Sequence, residues 1–247
     1  MKKILALLLV SVFAFFAITL VQSDQLVPKF GDADLSSRVS DKYISKSVSV
    51  DNKVVEYGET VNAETGSANL VTSIVVNYRS FDTLGEVTVL FISALGISLI
   101  VGTTDGMIKR SESGFILKTG SKVLMPILLI VGIYVITHGH LTPGGGFQGG
   151  SMIASAVLLL LISDHEFVPN MNKFKVLEGL SGSLYIIIGL VSISLTGYFL
   201  KNFMPTGQVG ELMSAGIIPI IYLFIGLKVG SELTGILSDF LKKEANV

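Results

Sequence analysis

Six uncharged, apolar runs recur along the chain, and ionisable residues bound each of them. They cover residues 4–23, 87–104, 123–137, 149–163 and 179–200, and the sixth opens after Glu211 and reaches Lys228. A helix rises about 1.5 Å per residue, so runs of about 15–22 residues cross or nearly cross a hydrocarbon core of roughly 30 Å, with flanking residues completing the shorter spans. The pattern predicts an all-α integral membrane protein with about six transmembrane helices.

The first run also has features of a cleaved signal peptide. Lys2 and Lys3 precede it, and Val21-Gln22-Ser23 offers small, spaced residues to a signal peptidase. Its apolar stretch is longer than the usual core of about 7–15 residues, and no Ala-x-Ala site follows. We therefore expect a retained helix, with cleavage as the alternative.

Lysine and arginine are distributed unequally between the two sides of this six-helix topology. One side receives Lys2, Lys3, Lys109, Arg110, Lys118, Lys122, Lys173, Lys175, Lys242 and Lys243; the other receives Lys201 and the basic residues of a long acidic segment, 24–82. Positive charge in short connections favours the cytoplasm. Both termini are expected there, and segment 24–82 is expected to be extracytoplasmic. Within it, residues 43–61 alternate around Asp51-Asn52 and predict a small hairpin.

Composition supports a membrane protein and limits its chemistry. The chain has 247 residues, a mean hydropathy of +0.69 and only 15% charged residues, against about 25% in soluble domains. The absence of cysteine excludes disulfides, iron–sulfur ligation and Cys-based zinc sites, so we expect no cofactor and place any redox partner in another subunit. A net charge of −1 gives no basic footprint for nucleic acid.

Ionisable residues inside a span are costly, which makes each of them a functional candidate. Glu86 lies just inside the second span; it either stays wet near the interface, favoured by the helix dipole, or takes part in ion movement. Lys228 follows a long uncharged run, with Glu232 four positions later. Lys228 either snorkels to the headgroups or faces the interior as part of a proton relay.

Three further residues mark or interrupt spans. Glu211 and Glu178 are read as boundary residues at the outer start of the sixth span and the inner start of the fifth. Pro219 is predicted to break the sixth helix.

Gly226 and Gly230 form a small-residue face, as Gly150 and Ala154 do, and such faces let helices approach closely.

Six glycines crowd the stretch from Thr137 to Gly150. A G-x-G-x-x-G match occurs there, but a dinucleotide site needs a preceding strand within a βαβ unit. His138 and His140 supply at most two metal ligands, with no nearby acid or cysteine to complete a set. We interpret the stretch as a tight turn between helices, in which glycine permits close backbone approach.

The same stretch carries a family resemblance. The motifs HGHLTPGGGFQGG at 138–150, GEL at 210–212, SAG at 214–216 and GLKVG at 226–230 resemble the B subunit of multisubunit Na⁺/H⁺ antiporters of the Mrp (Mnh) type. Upstream, ETG at 64–66, NLVT at 69–72 and YRSFDTLGE at 78–86 look like the C-terminal tail of the A subunit, which is a separate small subunit in membrane-bound hydrogenases. The resemblance covers about residues 60–247.

The resemblance implies two parts in series. Residues 1–110 would form the A-tail-like region, with two helices and segment 24–82, and residues 111–247 a B-like domain with four helices. Their boundary falls near 106–117, and nothing is transferred onto residues 36–63.

The implied function is that of a non-enzymatic membrane subunit in a Na⁺/H⁺-exchanging complex, either a pure antiporter or the ion-pumping arm of a hydrogenase or sulfur-reducing complex. Its partners would be other antiporter-module subunits, hydrogenase or sulfur-reductase subunits, Na⁺, H⁺ and the lipid bilayer. By motif position, Glu86, Glu178, Glu211 and Lys228 are candidates for ion or proton passage. The architectural candidates are Pro143, Gly144, Gly145, Gly146, Gly149, Gly150 and Pro219.

Two alternatives remain open from sequence. A stand-alone secondary transporter would be expected to show inverted repeats and paired broken helices. A structural or receptor-like membrane protein would use segment 24–82 as its working part.

Overall fold

The structure, a computed structural model, describes residues 2–22, 38–39, 55–101 and 113–244. The regular elements within these residues are helical, and an isolated antiparallel bridge joins Val61 to Gln208. The prediction of an all-α protein is confirmed. Residues 43–54 of the predicted hairpin lie outside the described residues, as does most of the predicted boundary at 106–117. Within the described end of that hairpin, residues 57–59 form a turn and Val61 pairs with Gln208.

Six long helices make up most of the described chain. They are α1 (Lys2–Gln22), α2 (Ser80–Val101), α3 (Phe115–Thr137), α4 (Gly146–Ser163), α5 (Met171–Thr196) and α6 (Ile218–Glu244). Ahead of α2, a single α-helical turn, Leu70–Thr72, continues into a π-helical segment, Ser73–Tyr78.

Helix α1 belongs to a compact unit of its own, Met1–Tyr43. Its apolar part, Ala6–Leu20, carries exposed side chains such as Phe13 and Phe16. The first apolar run therefore forms a helix over nearly all of its predicted range.

The five helices α2–α6 are each long and apolar enough to cross a membrane. They match the last five predicted spans in order, but α2, α3 and α5 each begin about two turns earlier than predicted. The charged residues that bound an apolar run mark the edge of the hydrocarbon, whereas helical hydrogen bonding continues into the interface. The spacing of charged residues therefore predicts where the membrane spans lie, but it does not predict where the helices begin and end.

Helix α6 departs furthest from its predicted range of 212–228. Backbone turns with positive φ at Gly210, Ala215 and Gly216 delay its start to Ile218. It then runs through Lys228 and on to Glu244. Lys228 does not end the span because its charge is paired inside the protein.

The prediction that Pro219 breaks this helix is wrong. Pro219 is the second residue of α6, where its missing N–H removes no helical hydrogen bond because first-turn N–H groups have no partner within the helix. Pro126 instead lies inside α3.

Helix α6 is the centre of the described bundle. It packs against α2, α3, α4 and α5 and touches the π-helical segment. Its membrane-length window is 56% buried, against 11% for that of α2. Polar residues on α6 are therefore held inside protein, whereas much of α2 faces outward.

Facing glycines bring α4 and α6 together. A Cβ on Gly150 would lie 2.8 Å from the carbonyl oxygen of Gly226 and 2.9 Å from Cβ of Val229, and a Cβ on Gly230 would lie 3.3 Å from the carbonyl oxygen of Gly150. Such distances leave no space for a side chain at Gly150. The two small-residue faces therefore pack against each other within this chain.

The glycine-rich connection between α3 and α4 receives the segment that precedes α2. Asn69 Nδ2 donates to the carbonyl oxygens of Gly139, at 2.8 Å, and Thr142, at 2.9 Å, and Thr72 Oγ1 donates to that of Gly139 at 2.7 Å. Gly145 has a φ of 149°, a conformation that favours glycine. Of the six predicted architectural residues in this region, the connection holds Pro143, Gly144 and Gly145, and the first turns of α4 hold Gly146, Gly149 and Gly150.

We predict opposite effects for two glycine-to-alanine substitutions. Gly150→Ala should destabilise the chain by about 1–3 kcal/mol through overpacking against α6. Gly120→Ala in α3 is the matched control: no atom lies within 4 Å of its Cβ position, so the substitution should be neutral or stabilising by up to about 1 kcal/mol. Thermal denaturation of the detergent-solubilised protein measures both, and equal midpoints for the two variants would contradict the packing argument.

Candidate functional site

A buried lysine lies where α2, α5 and α6 meet. The ammonium of Lys228 is 3.1 Å from Glu232 Oε2 and 3.9 Å from Glu178 Oε1, and it lies 4.8 Å from the ring centroid of Phe91. Lys228 is only 7% exposed. Lys228 therefore faces the interior of the protein and does not snorkel to the headgroups, while its part in a proton relay stays a prediction. Glu178, Lys228 and Glu232 are called the carboxylate–lysine cluster below.

The sequence positions these groups through simple helix geometry. Lys228 and Glu232 are four residues apart on α6, so they share one face. Glu178 comes from α5, and Gly182 lies one turn further along that helix. A Cβ on Gly182 would be 3.3 Å from Cδ of Lys228, so this glycine leaves room for the lysine stem. Three helices thus converge on one ammonium.

Charge is not balanced within the cluster. Two carboxylates face one ammonium, and Glu232 is only 2% exposed. Glu232 Oε1 has no hydrogen-bond partner within the described part of the chain. A buried carboxylate oxygen left in this state is costly, so something other than Lys228 is needed to satisfy it.

A pocket of about 370 Å³ lies beside the cluster. It is bordered by α2, α5 and α6, and its lining includes Glu178, Glu232 and Ser231. Further towards the C-terminal end of α6, Ser98 Oγ donates to Asp239 Oδ2 at 2.8 Å, and both residues line the same pocket. A partly open space, lined by apolar as well as polar side chains, therefore leads from Asp239 to the buried carboxylates.

The structure brings two of the four predicted ion-pathway residues together and leaves two elsewhere. Glu178 and Lys228 are in the cluster. Glu86 is exposed on α2, close enough to Tyr185 for an electrostatic interaction. Glu211 is exposed in the loop before α6, and its backbone carbonyl lies 3.4 Å from Nε2 of His140.

Sequence reasoning recognised Glu232 only as a neutralising neighbour of Lys228 and missed Asp239, Ser98 and Phe91. The spacing of residues along α6 could have identified the two acidic residues. If the helix is extended beyond Lys228, then Lys228, Glu232 and Asp239 fall on one face of it. No comparable signal marks Phe91 or Ser98, because their positions depend on how α2 packs.

The two histidines of the glycine-rich connection take unrelated positions. His138 stacks on Tyr134 with ring centroids 4.2 Å apart. His140 is fully buried, and this burial lowers its pKa, with a weaker opposing effect from the Glu211 backbone. Among the described residues, no group of three or more His, Cys, Asp or Glu side chains is arranged to hold a metal ion.

Two family models match separate parts of the chain. One, described as a domain related to the MnhB subunit of Na⁺/H⁺ antiporters, matches residues 116–235. The other, described as MbhE, the E subunit of MBH, matches residues 29–102.

Relatives extend this likeness. An antiporter subunit mnhB2 from Staphylococcus aureus is 32% identical and aligns with 44% of this chain and 74% of its own length. An uncharacterised protein from Methanocaldococcus jannaschii is 29% identical, over 67% of this chain and 74% of its own.

Solved structures share the fold over nearly the whole chain. A chain of the membrane-bound sulfane sulfur reductase, an archaeal respiratory membrane complex, superimposes with a TM-score of 0.74 and 38% identity over 98% of both chains. A chain of the Mrp complex from Dietzia matches with a TM-score of 0.67 and 19% identity, over 97% of this chain and 26% of that one, and shows the fold alone. The resemblance stated from sequence is confirmed.

We predict that breaking the ion pair from one side costs more than removing both members. Lys228→Met leaves Glu178 and Glu232 without their counter-charge and should destabilise the protein by about 3–5 kcal/mol, as for other buried pairs. The double variant Lys228→Met/Glu232→Gln should recover part of that loss. The thermal midpoint of the solubilised protein is the measurement, and a double variant at least as unstable as Lys228→Met would contradict the assignment of a buried pair.

Proposed function

The chain belongs to the family of domains related to the MnhB subunit of Na⁺/H⁺ antiporters, and from this premise we propose that it is a non-catalytic subunit of a respiratory membrane complex whose antiporter module moves Na⁺ and H⁺. The observation that carries the choice of complex is the 38% identity to a sulfane sulfur reductase chain over 98% of both chains. That likeness exceeds the one to the pure antiporter subunit in both identity and coverage. A redox-driven complex of the sulfur-reducing type is therefore favoured over a stand-alone Mrp-type antiporter.

In the proposed topology, α1 adds a sixth span to the five of α2–α6, and both termini are cytoplasmic. The basic residues near the start of α3 support this orientation: Lys118 and Lys122 pair with Asp164 at 3.4 and 3.6 Å, at the end of α4. Segment 24–82 would then be extracytoplasmic. Residues 1–110 and 111–247 would correspond to the two parts of the chain, in line with the ranges of the two family models.

The carboxylate–lysine cluster is the proposed contribution of this subunit to ion movement. Its support is geometric, because a buried ammonium and two carboxylates from α5 and α6 lie together beside one pocket. Intramembrane charges that pair with one another are typical of ion and proton paths. Glu86 and Glu211 stay candidates at other points of such a path.

The position of Glu86 leads us to infer a neighbouring subunit beside α2. Its side chain is exposed on α2, although α2 is a membrane-length apolar helix. A carboxylate in contact with lipid is costly. We therefore place another membrane subunit of the complex against this face of α2, either in direct contact with it or with water held between the two subunits.

We predict that the isolated chain does not exchange ions and that the complete complex does. In vesicles, Na⁺-driven proton movement should appear only with the full set of subunits. Exchange by the purified chain alone would contradict the proposal and favour a stand-alone transporter.

Within the complete complex, Glu178→Gln and Glu86→Gln should each lower the exchange rate by about tenfold or more, because each removes a proton-binding group. Glu166→Gln, in the exposed loop after α4, is the matched control and should leave the rate unchanged. Copurification of the other subunits shows that assembly is intact. Normal exchange by both test variants would exclude these two carboxylates from the proposed ion path.

A further inference from the structure

Glu232 presents a buried oxygen that none of the described residues satisfies. Its Oε2 pairs with Lys228, while Oε1 has no hydrogen-bond partner in the described part of the chain. The residue lines the pocket of about 370 Å³. A water molecule takes up about 30 Å³ in the liquid, so the pocket has room for an ion with several water ligands.

The charged groups around Glu232 come from α5 and α6. Helix α6 contributes Lys228 in direct contact and Asp239 about two turns further on, and α5 contributes Glu178 and, further along the pocket lining, Lys175. Helix α2 brings Phe91 and Ser98, which carry no charge. Helix α4 contains no ionisable residue, and the Lys118 and Lys122 ammonium groups of α3 pair with Asp164.

Counting only the groups in contact with the ammonium, the cluster carries a net charge of −1 when all three members are ionised. A net charge is unfavourable where water is scarce, and one additional positive charge removes it. A proton bound to a carboxyl group and a monovalent cation beside that group each supply this one positive charge. Both together would leave a net positive charge beside Lys228, so the two occupants oppose each other.

We propose that Glu232 Oε1 and the adjoining pocket form a binding site for one monovalent cation, Na⁺ in the first instance, and that a proton on Glu232 takes its place. The inference rests on the proposed function and deepens it by assigning the exchange of the two ions to one carboxylate. Glu178, within reach of the same ammonium, would supply a second oxygen, and water in the pocket would complete the set. The site would fill from the C-terminal end of α6, where Asp239 and Ser98 line the same pocket.

The test is chemical labelling of the complete, detergent-solubilised complex with dicyclohexylcarbodiimide. This apolar reagent reacts with protonated carboxyl groups. Mass spectrometry of the chain identifies the modified residue and gives its labelling rate. The rate is measured against NaCl, with choline chloride keeping the ionic strength constant.

We expect Glu232 to be labelled and Na⁺ to slow the labelling. Over the pH range in which Glu232 is mostly protonated in the absence of Na⁺, the Na⁺ concentration that halves the rate should rise about tenfold for each unit by which the pH is lowered, as for one cation and one proton that exclude each other. Choline should have no such effect. Glu178→Gln should weaken Na⁺ protection of Glu232, whereas Glu166→Gln should not.

Labelling of Glu232 that Na⁺ and choline affect equally would overturn the inference, and so would Na⁺ protection that does not change with pH over the range in which Glu232 is mostly protonated in the absence of Na⁺. The unaltered complex supplies the main readout, so the result does not depend on a variant that folds poorly. Vesicle exchange is measured on the same preparation. A complex that exchanges ions without Na⁺ protection of Glu232 contradicts this site alone, whereas a complex without exchange contradicts the proposed function.

Discussion

The close approach of α4 to α6 is the constraint on which the rest of the described structure depends. With Gly150 against Gly226 and Gly230, the two backbones come within a distance that no side chain would permit. Helix α6 is thereby fixed in the centre, with α2, α3 and α5 around it. Lys228 and Glu232 must then face protein rather than lipid. The position of Lys228 follows from backbone packing before any electrostatic term is considered.

The buried charges are a poor means of stabilising such a bundle. Desolvation of an ammonium and two carboxylates offsets most of their mutual attraction, and an apolar replacement of similar volume is often as stable. Glu232 Oε1, which has no partner among the described residues, adds a further cost. Ion binding explains three features better than folding does: the unsatisfied oxygen, the pocket beside it, and the glycine that accommodates the lysine stem.

Much of the fold could be predicted from sequence, because apolar runs reflect the thickness of the hydrocarbon. The helix ends could not, since Lys118 and Glu178 lie within helices that continue past the apolar boundary. Pro219 was misjudged for the same reason: the start of α6 depends on backbone turns at Ala215 and Gly216, which the apolar pattern does not mark. For the site, Lys228 and Glu178 stood out as charges, whereas Phe91 and Ser98 became relevant only through the packing of α2.

The pocket beside Glu232 is composite. Ser98 and Phe91 lie in the part of the chain that matches the MbhE model, and Glu178, Glu232 and Ser231 lie in the part that matches the MnhB-related model. Here both walls belong to one polypeptide, so they are synthesised in a one-to-one ratio. Covalent linkage keeps partners at an effective concentration in about the millimolar range, even when their mutual affinity is weak. The contact between α2 and its neighbouring helices can therefore remain small without loss of the pocket.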